Sequence, residues 1–185
     1  MNASINISNV CLKTPRLTLR PFVLSDLENF YQYAKVPGVG EMAGWSHHHN
    51  IEESKKILDI FIANQSTFAI VFQDIVIGSI GLDQYKENDF PELDMLKGIE
   101  LGFVLSKQYW GQGLMVEGCQ AVIDYIFKKL ELDFILCGHF IDNNQSKRVQ
   151  EKLGFKLYKS NQQREYIDQT KNLVVNIMFR TDYIA

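Results

Sequence analysis

Gln108-Tyr-Trp-Gly-Gln-Gly-Leu-Met115 is the stretch on which the reading of this chain turns. Before it runs Ile99-Glu-Leu-Gly-Phe-Val-Leu105, a short apolar block of strand formers. After it, Met115, Cys119, Val122, Ile123, Ile126, Phe127 and Leu130 recur at helical spacing, one apolar stripe over about four turns. Gly111 and Gly113 stand between, with no proline to remove a backbone donor. A helix begins with N–H groups that lack intrahelical acceptors, and its dipole adds partial positive charge there. A strand, a Gly-x-Gly turn and a helix therefore predict an anion site suited to a pyrophosphate.

Two patterns compete for that loop. The dinucleotide fingerprint G-x-G-x-x-G/A needs a small residue where Val116 stands, and an acidic residue at the end of the next strand. Glu131 and Asp133 precede that strand instead, which disfavours a nucleotide-binding oxidoreductase. The pattern Gln/Arg-x-x-Gly-x-Gly/Ala is matched in full by Gln108, Gly111 and Gly113, and it resembles the acetyl-CoA pyrophosphate loop of the GNAT superfamily of N-acetyltransferases. A second segment supports it. Phe134-Ile-Leu-Cys-Gly-His-Phe140 reads as a buried strand, and Ile141-Asp-Asn-Asn-Gln-Ser-Lys-Arg-Val-Gln-Glu-Lys-Leu-Gly-Phe155 follows. There Asn143 or Asn144 offers an N-cap, Val149 and Leu153 share a helix face, and Gly154 supplies the stop. An Asn-x-x-Ser turn and a helix ending Glu-Lys-Leu-Gly-Phe resemble the next segment of the same superfamily. More narrowly, they resemble its RimJ/RimL-like branch, which acetylates protein N-termini and other primary amines. The resemblance spans roughly residues 12 to 180.

Composition narrows the class. A chain of 185 residues with 46% apolar content suits one domain with a proper core. A net charge of −3 and a pI of about 5.8 argue against nucleic acid as a partner. Cys11, Cys119 and Cys137 have no Cys-x-x-Cys spacing, so neither a disulfide framework nor a zinc site is expected. No apolar run approaches membrane-spanning length and no signal sequence opens the chain, which predicts a cytoplasmic protein without a membrane partner.

Residues 1–11 are polar and unpatterned, a loose arm ahead of a single domain at 12–185. Leu17 and Leu19 alternate with Thr18 and Arg20, predicting a half-buried strand over 12–21. Ser25-Asp-Leu-Glu28 reads as a capping box opening a helix that stops near Pro37-Gly38. Asn50 and Glu53 form a second box, with Ile57, Leu58, Phe61 and Ile62 facing inward. Thr67–Phe72 and Ile75–Leu82 flank a Gln73-Asp74 turn as a hairpin. The acidic stretch 84–98 reads as a hydrophilic loop, and the polar run Ser160 to Lys171 as a connection before a last strand at 173–179. The expected class is α/β with a mixed (α+β) sheet, about seven strands and four helices in the order β-α-α-β-β-β-α-β-α-β-β. A strand–helix–strand crossover favours a parallel central pair. In the GNAT-like fold those strands splay apart to admit the pantetheine arm.

Acetyl transfer to an amine needs a base for the amine, polarisation of the thioester carbonyl and stabilisation of the leaving thiolate. Glu100 is the ionisable side chain of the 99–105 strand, where desolvation would make it a stronger base near neutrality. The resemblance assigns the backbone of Phe103, Val104 and Leu105 to the thioester and pantetheine, and Gln108, Trp110, Gly111, Gln112, Gly113 and Leu114 to the pyrophosphate. It assigns Asn143 to the pantetheine arm and Ser146 to the sulfur. The chain departs from much of the superfamily four residues after Ser146. A tyrosine often serves there as general acid, and here it is Gln150, which has no proton to lend. Asn143 and Ser146 also read as plain helix caps. The run His47-His48-His49 lacks the spacing of a metal site, so no metal is expected. By resemblance Trp45 and His48 lie beside the acceptor amine, which makes His48 an alternative base.

The leading expectation is an acetyl-CoA-dependent N-acetyltransferase acting on a primary amine, including a protein N-terminus. The alternatives are a non-catalytic acyl-CoA-binding module, suggested by Gln150, and an acetyltransferase for a small-molecule amine. The chain is expected to act as a monomer or homodimer, its last strand being able to pair with a neighbour's sheet.

Overall fold

The computed structural model describes residues 1–166 and 169–183. In chain order the elements are β1 (Leu12–Lys13), β2 (Thr18–Pro21), α1 (Leu27–Ala34), α2 (Ile51–Asn64), β3 (Thr67–Phe72), β4 (Ile75–Asp83), β5 (Gly98–Leu105), α3 (Leu114–Lys128), β6 (Phe134–Phe140), α4 (Asn144–Leu153), β7 (Lys156–Tyr166), β8 (Gln169–Phe179) and α5 (Arg180–Tyr183). Mixed α/β architecture is as expected, with one strand and one helix more. The expected strand over 12–21 divides because Pro15 removes a ladder donor. Thr14 closes the turn there, its N–H donating to the Leu17 carbonyl at 2.9 Å and its Oγ1 accepting from the Leu17 N–H at 2.8 Å. The extra helix is the short α5.

The chain forms two compact units, Ile5–Gly81 with Phe103–Ala121, and Met1–Ser4 with Leu82–Gly102 and the chain from Val122 onward. In the first, β1, β2, β3 and β4 pair antiparallel in sequence order. Gln73 and Asp74 both take positive φ, 49° and 64°, the left-handed pair that a two-residue hairpin requires. Leu19, Phe68, Ile70, Leu58 and Ile80 are fully buried, each worth about 1.5–3 kcal/mol in transfer from water. Ser25 does not cap α1. A 3-10 turn at Leu24–Asp26 leads into the helix instead, closed by the Asp26 carboxylate, which accepts from the Val23 N–H at 2.9 Å and is held by Arg20 at 2.8 Å to both oxygens; the Asp26 side chain makes no cap bond to α1 itself. Asn50 caps α2 as expected, accepting from the Glu53 N–H at 2.9 Å, while Glu53 reaches the N–H of His49 at 2.8 Å.

In the second unit, β5 and β6 pair parallel through Gly98↔Phe134, Ile99↔Ile135 and Glu100↔Leu136. β8 runs antiparallel to β6 on one side and to β7 on the other. A strand flanked twice offers no edge, so the last strand is not the one that a neighbouring sheet could extend. Most of the polar run 160–171 proves to be strand, with Gln162↔Leu173 and Arg164↔Lys171 in register. The pairing satisfies backbone groups whatever the side chains, and residues 167–168 of that run lie outside the described residues. The stretch 84–98 is also no solvated loop. Tyr85, Phe90 and Leu93 are buried in one cluster with Phe134, Leu136 and Phe140, their spacing set by two 3-10 turns at Glu87–Asp89 and Pro91–Leu93.

The N-terminal residues are anchored within each unit, contrary to a loose arm. The Met1 ammonium donates to the Tyr85 hydroxyl at 3.0 Å, and the Ala3 N–H to the Gly98 carbonyl at 3.0 Å. In the other unit Ile7 is fully buried and its N–H donates to the Gln65 carbonyl at 2.9 Å.

Candidate active site

The loop between β5 and α3 carries the feature that the sequence singles out. Gly111 and Gly113 have φ of +78° and +76°, and they bracket Gln112. A residue with a Cβ pays about 1–2 kcal/mol in that region. Among the described residues, the N–H groups of Gly111 through Val116 donate to nothing in the protein, while Glu117 resumes the helical pattern by donating to the Gly113 carbonyl at 3.0 Å. Such a row of donors at a helix start, with the dipole behind it, binds an anion.

Around the loop, Trp110 Nε1 donates to the Leu105 carbonyl at 2.7 Å and Gln112 Nε2 to the Gln108 carbonyl at 3.2 Å, which tie the turn to the end of β5. Arg16, from the β1–β2 turn, joins the loop from a distant part of the chain. Its Nη1 donates to the Gln112 carbonyl at 3.0 Å, and its Nε and backbone N–H reach the Glu117 carboxylate at 2.6 and 2.9 Å. Burial raises the Glu117 pKa, but hydrogen bonds from Thr14 and Arg16 outweigh it and hold the carboxylate ionised. The Thr-Pro-Arg-Leu turn was visible in sequence, but a contact across some hundred residues was not. Further back, Gly78 lets β4 approach the Val104–Leu105 backbone: a Cβ there would lie 2.3 Å from the Val104 carbonyl oxygen.

Trp45 and His48 are brought together, ring centroids 5.1 Å apart. His48 is 8% exposed, its Nδ1 sharing a 2.7 Å hydrogen bond with the buried Ser54 hydroxyl and its ring edge-on to Phe30. It is a packed histidine with its Nδ1 satisfied inside the core, not a solvated loop residue. The neighbouring His47 bonds Glu41 at 2.6 Å; burial pushes that carboxyl up, but the His47 ring and the backbone N–H groups of Glu41, His47 and Gly38 hold it at about 2.

Burial lowers the His48 pKa, opposed by Glu53 and assisted by His47 and His49. The sign for stability follows. Below about pH 6.5 the unfolded chain takes up a proton that the folded chain resists, so this contribution is complete above that pH and lost as pH falls. The melting temperature of the wild type should drop faster between pH 7 and pH 5 than that of His48→Gln, by up to about 3 °C per pH unit. Parallel curves would show that burial does not discriminate against the imidazolium.

The other unit holds Glu100, Asn143 and Ser146. Glu100 sits at the last position of β5 that pairs with β6, with a 20% exposed side chain, both oxygens facing Arg164 Nη2 at 3.2 and 3.3 Å. It is neither bare in an apolar strand nor simply solvated. Asp83 retains solvent access, yet the protein packed around it raises its carboxyl, with the Glu100 charge adding and Arg164 opposing.

Asn143 is the N-cap of α4, its Oδ1 accepting from the Ser146 N–H at 3.0 Å. The cap therefore accounts for Asn143 and for the Ser146 backbone, but not for the Ser146 hydroxyl. That hydroxyl accepts from Gln150 Nε2 at 3.0 Å.

Known proteins share this fold. The acetyltransferase (GNAT) domain model matches residues 16–156. The protein p20 of Bacillus licheniformis, named as an uncharacterised N-acetyltransferase, is 29% identical over 152 residues, covering 78% of this chain and 81% of its own. YdaF of Bacillus subtilis strain 168, a protein named for ribosomal N-acetylation, is 32% identical over 56 residues, 30% of this chain and 31% of its own. Among solved structures, a GNAT-family acetyltransferase from Bacillus anthracis superposes with a TM-score of 0.81 at 20% identity, covering 93% of this chain and 99% of that one. A domain match over most of the length, on a chain that carries the free-amide loop, makes this protein a member of the GNAT acetyltransferase family and an acetyl-CoA-dependent acyltransferase.

Proposed function

We propose that this acetyltransferase belongs to the RimJ/RimL-like branch and moves the acetyl group to a primary amine at a protein N-terminus. The observation that carries the acetyl-CoA half is the row of unpaired amides from Gly111 to Val116 between two left-handed glycines. In this reading Gln108, Trp110, Gly111, Gln112, Gly113 and Leu114 cradle the pyrophosphate, the Phe103, Val104 and Leu105 backbone receives the pantetheine and thioester, and Asn143 serves the pantetheine arm. Glu100 accepts the amine proton as nitrogen bonds the carbonyl carbon. The C–S bond then breaks with its electron pair on sulfur, where Ser146 donates a hydrogen bond. Trp45 and His48 flank the acceptor site; His48, buried and with its Nδ1 bonded to Ser54, is not retained as the base. The name of YdaF favours a ribosomal or other protein terminus as acceptor. Catalysis takes place in a single domain over 12–185 together with the anchored residues 1–11, in the cytoplasm, where the free thiols of Cys119 and Cys137 stay reduced.

Thiol release from acetyl-CoA, measured against peptides with free N-termini, polyamines and small amines, tests this reading. A peptide should exceed the best small amine in kcat/KM by at least about tenfold, the effect of one added favourable contact region worth about 1.4 kcal/mol. A polyamine or small amine at the top of the panel would reassign the enzyme to the small-molecule class.

A further inference from the structure

Gln150 is fully buried, although the superfamily often places a proton donor at its position. Each polar atom of its amide is engaged. Nε2 donates to the Gly138 carbonyl at 3.3 Å and to Ser146 Oγ at 3.0 Å, while Oε1 accepts from Asn176 Nδ2 at 2.7 Å. The orientation of the amide is forced, because the Gly138 carbonyl can only accept and must face the NH2 group. Gly138 lies on β6, and Asn176 on β8 stands opposite its neighbour Cys137, so the sheet itself holds the amide in place.

The consequence falls on Ser146, one turn earlier on α4. Its oxygen is occupied as an acceptor, and among the described residues its proton has no acceptor. A serine in a helix commonly turns its hydroxyl back to a carbonyl four residues earlier. Here that residue, Asp142, precedes the helix, and no such bond forms.

We propose that Gln150 is a positioning residue for the acetyl transfer: clamped by Gly138 and Asn176, it occupies the Ser146 oxygen and so presents the Ser146 proton to the departing sulfur. This rests on the reading of Ser146 given above. Gln150 transfers no proton. The electron pair of the breaking C–S bond stays on sulfur, the Ser146 O–H stabilises it as a hydrogen-bond donor, and solvent protonates the released thiolate.

A double-mutant cycle on single-turnover thiol release, with acetyl-CoA and the preferred peptide acceptor, tests the proposal. Ser146→Ala should lower the rate about tenfold with little change in acetyl-CoA Kd, since the bond strengthens as charge develops. Gln150→Met, similar in length and without the donor, should lower it by a comparable factor. The double variant should be no slower than Ser146→Ala alone, because the same hydrogen bond is lost. Multiplying effects, or a wild-type rate for Gln150→Met, would overturn the role of Gln150 while leaving Ser146 in place. A wild-type rate for Ser146→Ala would instead overturn the reading of Ser146.

Gln150→Glu supplies a second readout should the methionine variant fail to fold. An ionised carboxylate only accepts, so it draws the Ser146 proton inward. The rate of that variant relative to wild type should therefore fall as pH rises through the ionisation of the new carboxyl. A ratio independent of pH would indicate packing alone and count against the proposal.

Discussion

Acetyl-CoA at a hundred times its Kd should raise the melting temperature of the wild type by several degrees, and Gly113→Val should remove nearly all of that rise. The first figure follows from linkage: a ligand at that concentration that binds only the folded state contributes about 2.7 kcal/mol, or roughly 5–10 °C for a chain of this size. The second follows from backbone conformation rather than space. A Cβ on Gly111 would meet nothing within 4 Å, and one on Gly113 only Arg16 Nη2 at 3.7 Å. Neither site is crowded, so the penalty comes from φ near +77°, which a β-branched residue resists. The loop relieves that strain by rotating its peptides, which moves the free amides from Gly111 to Val116 out of their native arrangement. Losing two hydrogen bonds to a charged group costs about 3–6 kcal/mol, a weakening of about 10²-fold or more. At the same concentration the melting shift would shrink to a degree or so. Gly111→Val should behave alike, whereas Gly111→Asn, which tolerates the left-handed region, should keep more of the response. If both valine variants respond to acetyl-CoA as the wild type does, the loop amides are not its pyrophosphate site.

Glu100→Gln should lower kcat/KM by about 10²-fold, the usual scale for a lost general base. The loss should be greatest at low pH, where the amine is mostly protonated and its deprotonation limits attack. The substitution also unpairs Arg164, whose side chain is 46% exposed. An exposed cation released to water has little effect on stability, so the folded fraction should not account for the loss. Arg164→Leu separates the two roles of the carboxylate. If Glu100 merely anchors β7 through Arg164, that variant reproduces the defect of Glu100→Gln. If Glu100 is the base, Arg164→Leu retains most of the rate. Unchanged rates for Glu100→Gln at every pH would pass the proton to solvent or to the neighbouring Asp83.

The features legible in the sequence are those decided within one or two turns of chain. Apolar spacing places α3 because periodicity reports which side of a helix loses water, although Leu130 falls beyond its last residue, Lys128. Gly111 and Gly113 announce their positive φ because glycine alone enters that region freely. Asn143 announces a cap because its side chain answers an amide three residues on. Gln73-Asp74 announces a hairpin because the turn is closed locally.

Tertiary structure alone decided the rest, for one physical reason: the deciding partner is distant in sequence. Arg16 meets the Gln112 carbonyl only once β1 and β2 have packed beside α3. His48, which reads as one of three polar loop histidines, is drawn into the core by Ser54 and Phe30. Tyr85, Phe90 and Leu93 leave an acidic stretch because β6 and β8 offer them an apolar surface. Gln150 looks like the loss of a proton donor when read along the chain. Its hydrogen bonds to Gly138 and Asn176 make it a buried clamp on Ser146, and they exist only because β6 and β8 lie side by side under α4.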